Sequence, residues 1–309
     1  MNNLTMFCLS TEPKHLNTIK EFSYLPVGLG KEKFSDDWFV DNKGENISIK
    51  NKYYGEYTFH YWLWKNYLNK AEGDWIGFCQ YRKFWSMENK NLLPNSLDQL
   101  KSLILKEVPN TYKNFDIILG EESSVSKLKL MKFLKRGLKL FLKKPSYLFD
   151  KNTRNIKFHF DMWHGANYLE KAIQLLDNEN RDDFNDFVNT KTSFNPHNMF
   201  ICKSKKIIKD YYATVFPWLK RCEDEFGFDN LSGYGQTRIY GFLAERFMSY
   251  WFKKNTKHTT LPIIWSFEFV LTNYGTQHEC TDKEVRRQNM KQYEEGMSLF
   301  AKYYWCLWD

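Results

Sequence analysis

The chain has 309 residues, enough for one large domain or two small ones around a sizeable core. Its formal charge is +8, from 45 Lys and Arg against 37 Asp and Glu, and 18% of its residues are aromatic. Eight basic residues and no acid fall in 127–144, "KLKLMKFLKRGLKLFLKK", so the remaining chain is balanced at 37 of each sign, which argues against the spread cationic groove of a nucleic-acid-binding protein.

In chain order, "TMFCLS" at 5–10 and "YLPVGLG" at 24–30 read as the first strands of an α/β sheet. "ENISIKN" leads into "NKYYGEYTFHYWLWKNYLNKA", predicted as one helix over 51–71 because Tyr57, Tyr61, Trp64 and Leu68 share a face. "GDWIGFCQYRKFW" (73–85) is a buried strand ending in Gln80, Tyr81, Arg82 and Lys83, at the edge where open α/β sheets place ligands. Further strands are predicted at 115–119 and 198–203, and a late one in "TTLPIIW". The segment from 205 reads as a helix broken near Pro217, and 233–252 as a strongly apolar helix after a glycine-rich turn. The alternation predicts a single α/β domain over 1–309, with a mostly parallel sheet flanked by helices. Residues 121–158 are a basic amphipathic insertion within it. In 127–144, Leu130, Leu134, Leu138 and Phe141 form an apolar stripe among lysines, as in helices that lie on anionic lipid. No signal-like leader and no apolar run of about 20 residues stands out. The six cysteines form no CxxC pair or zinc-like spacing and read as reduced, structural and cytosolic.

Four blocks, "ENISIKNKYYGEYTFHYWLWKN", "GDWIGFCQYRKFW", "FNPHNMFICKSK" and "GYGQTRIYGFLAERF", resemble in that order a family of bacterial proteins of uncharacterised domain identified as capsular or exopolysaccharide glycosyltransferases. The resemblance covers about residues 5–265 and is poor over 121–158. It implies a sugar-nucleotide-dependent transferase of GT-A type, with a Rossmann-like nucleotide half and an acceptor half. It also implies a UDP-sugar donor, a growing surface polysaccharide or lipid-linked oligosaccharide as acceptor, and a place at the inner face of the cytoplasmic membrane. A non-catalytic, membrane-associated carbohydrate-binding or scaffold protein of polysaccharide assembly is the alternative.

GT-A enzymes usually end the donor-side strand in a DXD motif that holds a divalent metal; here "CQYR" stands in its place. Guanidinium binds phosphate oxygens bidentately, so Arg82, helped by Lys83, is the candidate diphosphate clamp, with no metal required; a salt bridge at the sheet edge is the other reading. Mn or Mg is the alternative if an acidic pair such as Asp36 and Asp37 is brought near. Asn46, Ser48 and Asn51 are candidates for ribose or base contacts, or for plain turn and capping bonds, with Glu56 and Lys65 extending their wall. His197 and Asn198 are further donor-binding candidates. Asn195, His159, Trp163 and His164 suit a sugar pocket, where indole packs on C–H faces. The spacing of the two histidines in "FHFDMWHG" does not favour a metal site. For general-base chemistry the candidates are Asp161 and Glu245, with Asp161 preferred because Arg246 stands beside Glu245.

Overall fold

The computed structural model describes residues 3–87, 94, 96–126 and 146–265. The basic run 127–144 lies outside them. The described chain begins β1 (Leu4–Ser10), α1 (Leu16–Glu21), β2 (Leu25–Gly28), β3 (Phe39–Val40), α2 (Asn51–Tyr54) and α3 (Tyr57–Trp62), which continues into a π-helical turn at Leu63–Tyr67. Next come β4 (Trp75–Gln80), β5 (Lys83–Trp85), α4 (Leu97–Leu103), β6 (Ile117–Gly120), β7 (Ser123–Ser124) and α5 (Ser146–Phe149). The second half holds α6 (Ile156–His164), α7 (Tyr168–Gln174), α8 (Asn178–Thr190), β8 (Ser193–Phe194), β9 (Phe200–Cys202) and α9 (Lys205–Phe226). It closes with α10 (Gly233–Thr237), α11 (Ile239–Asn255), β10 (His258–Leu261) and β11 (Ile263–Trp265).

The main sheet runs β10-β6-β9-β4-β1-β2-β3, with β5 and β11 attached beside β4. β1 is parallel to both β2 and β4, β2 to β3, and β6 to β10. β9 alone on this path runs against its neighbours β4 and β6. The predicted strands are therefore present in a mostly parallel α/β sheet. They were visible because helices cover both faces. In β1, Phe7 and Leu9 pack with α2, α3, α9 and α11, while Met6 and Cys8 pack on the other side with Phe22, Trp75 and Trp85. Strands buried on both faces read as continuous apolar runs. Truncating a side chain as enclosed as Phe7 to alanine costs about 3–5 kcal/mol.

Three helical expectations needed correction. The helix of 51–71 is interrupted at Gly55, whose φ is +57° and whose absent side chain leaves room for Arg238: a Cβ there would lie 2.3 Å from the guanidinium. α9 passes through Pro217 unbroken. Ala213 and Pro217 are both exposed, so the carbonyl that loses its donor is on the wet side, while Val215, Phe216, Trp218 and Leu219 anchor the helix in the core. The helix of 233–252 is instead a short α10 followed by α11, and the late strand is split by Pro262 into β10 and β11.

The reversed direction of β9 positions everything that follows. Because it begins at the edge where β4 and β6 end, the β8–β9 loop lies beside the β4–β5 turn.

Candidate functional site

A cavity of about 980 Å³ opens at this carboxyl edge. Its walls are the ends of β1 and β2, the β4–β5 turn, the β8–β9 loop, residues 122–126, and one face each of α6 and α11. α10 and α11 contribute Tyr234, Arg238, Gly241, Phe242 and Glu245, which recur at three- and four-residue steps and so share a stripe.

Many of the predicted site residues meet here. Asn51, Gln80, Tyr81, Arg82, Lys83, His197, Asn198, His159, Trp163 and Glu245 all line the cavity. Arg82 is exposed and stands 5.6 Å from the Tyr81 ring, itself stacked on His15 at 4.3 Å; among the described residues no carboxylate pairs with Arg82. Lys83 is buried, 4.7 Å from the Trp265 ring, with Nζ 3.1 Å from His197 Nδ1. Burial is the main reason that its pKa falls to about 8; Arg82 and Arg238 add to the fall, and Glu56 and Glu245 oppose it. Gln80 donates to His197 O at 3.4 Å.

The carboxylates are held by their neighbours. Glu56 accepts from Asn198 Nδ2 at 3.0 Å and from Arg238 at 3.1 Å. Glu245 accepts from the His197 backbone N–H at 2.6 Å through Oε1, and from Arg246 through Oε2. Arg246 is 2% exposed, with its guanidinium 4.6 Å from the Phe194 ring and within reach of Nδ1 of His159 and Nε2 of His164. Both histidines accept from this guanidinium. Burial, with Arg246 adding, holds the His159 pKa well below the ordinary range.

Other candidates lie elsewhere. Asn46 bonds Gly44 O and receives Ser48 N and Oγ in an exposed turn, and Lys65 pairs with Glu45 at 3.3 Å. None of these three lines the cavity. Asn195 is buried as a pin: Nδ2 donates to Gly120 O at 2.6 Å and Oδ1 accepts from Ser249. His164 is packed beneath the wall, Nδ1 donating to Gly235 O at 3.0 Å and its ring stacked on Phe242 at 4.0 Å. Only glycine fits at 235, where a Cβ would meet Trp163 O at 2.2 Å.

Asp161 departs most from expectation. It does not line the cavity; it bonds Lys157 one turn earlier at 2.9 Å. Burial raises its pKa, with the Lys157 ammonium opposing. Two residues along an α-helix is a rotation of about 200°, so Asp161 and its neighbours His159 and Trp163 face opposite ways. Asp36 and Asp37 are exposed and do not line the cavity, Asp37 pairing with Lys20 at 2.8 Å. Among the described residues no group of three or more His, Cys, Asp or Glu side chains is arranged to hold a metal ion.

Arg82, Lys83, Lys151, Arg154, Arg238 and Arg246 face Glu56, Glu122 and Glu245 across this space, and Glu122 is already engaged by Lys253 at 2.6 Å. The excess is cationic. A walled cavity with this charge attracts an anionic ligand, and the aromatic surfaces of Tyr234 and Trp163 beside it can pack on flat or C–H-rich groups. Sequence reasoning gave no role to Arg238 or Tyr234, although the stripe through 234, 238, 242 and 245 was there to be read, and it saw Arg246 as the ion-pair partner of Glu245, which it is.

No curated protein matches the chain. Among solved structures, the apo form of the WbbM bifunctional glycosyltransferase superposes with a TM-score of 0.61 at 20% identity, over 86% of this chain and 45% of that one. The chain thus spans less than half of that protein, and the likeness is one of fold. Residues 9–256 match the family model described as "Domain of unknown function (DUF4422)", and the chain belongs to that family.

Proposed function

We propose that the chain is a glycosyltransferase that moves a sugar from a nucleotide-sugar donor, a UDP-sugar first, onto a growing surface polysaccharide or lipid-linked oligosaccharide. The observation that carries this reading is the meeting of an exposed guanidinium that no carboxylate among the described residues pairs with, a buried ammonium and a fixed carboxylate in one cavity at the carboxyl edge of a mostly parallel sheet. The fold it shares with a glycosyltransferase supports it.

In this reading Arg82 and Lys83 hold the donor diphosphate, where charge grows as the bond from the sugar carbon to phosphate oxygen breaks. Asn51 and the ends of β1 and β2 hold the nucleoside. Trp163 and His159 form the sugar wall. Glu245 takes the proton of the attacking acceptor hydroxyl, a role that its place in the cavity favours over Asp161. The cations serve without a divalent ion. The basic run 127–144 docks the enzyme on anionic lipid at the cytoplasmic face; among the described residues no helix is long and apolar enough to cross a membrane. Sedimentation with anionic vesicles, lost on deleting that run, checks the docking.

Incubation with a panel of sugar nucleotides tests the whole reading. One donor should be hydrolysed slowly, and faster when a saccharide acceptor is added. Failure of every sugar nucleotide to bind or react would refute it.

A further inference from the structure

The β8–β9 loop carries two consecutive non-glycine residues in the left-handed region, His197 at φ +85° and Asn198 at φ +52°. Side chains with a Cβ rarely adopt this conformation, and it persists where surroundings over-determine it. Five contacts do so here. His197 N–H donates to Glu245 Oε1 at 2.6 Å, Gln80 donates to His197 O at 3.4 Å, and Lys83 Nζ stands 3.1 Å from His197 Nδ1. Asn198 Nδ2 donates to Glu56 Oε1 at 3.0 Å and to Gly241 O at 3.2 Å.

The direction of the Lys83 contact follows from chemistry. An ammonium has three donors and no acceptor, so His197 Nδ1 accepts, and the ring is neutral with its proton on Nε2. Burial, together with the Lys83 and Arg82 charges, keeps it so by pushing its pKa well below the ordinary range. The ring also meets Trp265 edge-on at 5.5 Å, and Lys83 lies 4.7 Å from the same indole. One residue thus touches the cation through its side chain and the carboxylate through its backbone.

We propose that His197 is a positioning residue: its Nδ1 seats the Lys83 ammonium at a fixed place beside Glu245, so that cation and carboxylate face one bound sugar nucleotide together. The catalytic consequence rests on the glycosyl-transfer reading; the seating of Lys83 does not. This replaces the expectation that the His197 ring itself binds the donor.

The backbone contact to Glu245 survives a change of side chain, whereas the ring contact does not, so substitutions separate the two. His197→Gly keeps a positive φ without steric cost and removes the acceptor. His197→Asn tolerates the same backbone and returns an acceptor oxygen. Both are made in the full chain with lysine carrying ¹³C at Cε, and Lys83→Arg supplies the assignment. The groups facing Lys83 are Glu56, Glu245, Arg82, Arg238 and His197. Losing an acceptor for the charged form should lower the Lys83 midpoint in His197→Gly by about one pH unit, with the fold intact by circular dichroism. In the same variant kcat should fall at least about tenfold while KM for the donor changes by less than about threefold. His197→Asn should restore both. A Lys83 midpoint in His197→Gly that coincides with the parent's overturns the assignment, and so does a parental kcat. If the parent turns over no sugar nucleotide while the midpoint still shifts, the seating stands and the glycosyl-transfer reading is what fails.

Discussion

Glu245 and Asp161 are both helical carboxylates with a cation at hand, and both are well shielded, at 13% and 9% exposure. Their surroundings nevertheless differ. Glu245 is gripped by a strained loop and by a buried guanidinium, and it lines the cavity. Asp161 bonds a partly buried lysine on its own helix, with Glu170 3.6 Å from the same ammonium, on the far side of α6 from the cavity. Ion pairing and burial therefore do not locate a site. The direction in which a side chain leaves its helix does.

The strongest way to break this contrast is Glu245→Gln. Removing the base proposed above should cut kcat by about 10²–10⁴-fold with the fold intact by circular dichroism; a variant with parental turnover would give that proposed role to another carboxylate. Next is Arg82→Ala, which should weaken donor binding about 10- to 100-fold by calorimetry, the worth of a charge-assisted contact. EDTA should leave parental activity in place. Activity lost to the chelator and regained with manganese would show that a metal ion carries the diphosphate instead.

Lys83 offers a thermodynamic version. Its folded pKa, about 8, lies below the unfolded lysine's 10.5, so the unfolded chain holds the extra proton between those values. Stability should then rise with pH across that window, and this rise should be absent in Lys83→Met; denaturant titrations at pH 7.5 and 10 measure the difference. The smallest effect belongs to Asp161→Asn. It should keep activity within about twofold and change stability by only about 1 kcal/mol, because burial already disfavours the Asp161 charge and Lys157 keeps Glu170 beside it. A large loss of kcat there would reverse the comparison.

Much of the sheet was legible because β1, β4, β6 and β9 are buried on both faces and so read as apolar runs. The position of Arg82 and Lys83 at a strand end was legible for the same reason. What sequence could not show is that Lys83 is buried against Trp265 and His197, residues more than 100 positions away. Nor could local pattern show the break at Gly55, which exists because Arg238 needs the space. The preference for Asp161 had a different cause: "FHFDMWHG" was read as one cluster, whereas helical rotation splits it between two faces.

The reversed strand β9 also bears on how the chain is made. It lies between β4 and β6 in the sheet yet follows both in sequence. During synthesis at about 5–20 residues per second, the facing edges of β4 and β6 wait several seconds for the strand that joins them. Open strand edges of this kind recruit other chains, so a chain halted before residue 200 leaves open one edge of β4 and both edges of β6, whose other neighbour β10 is also still to come.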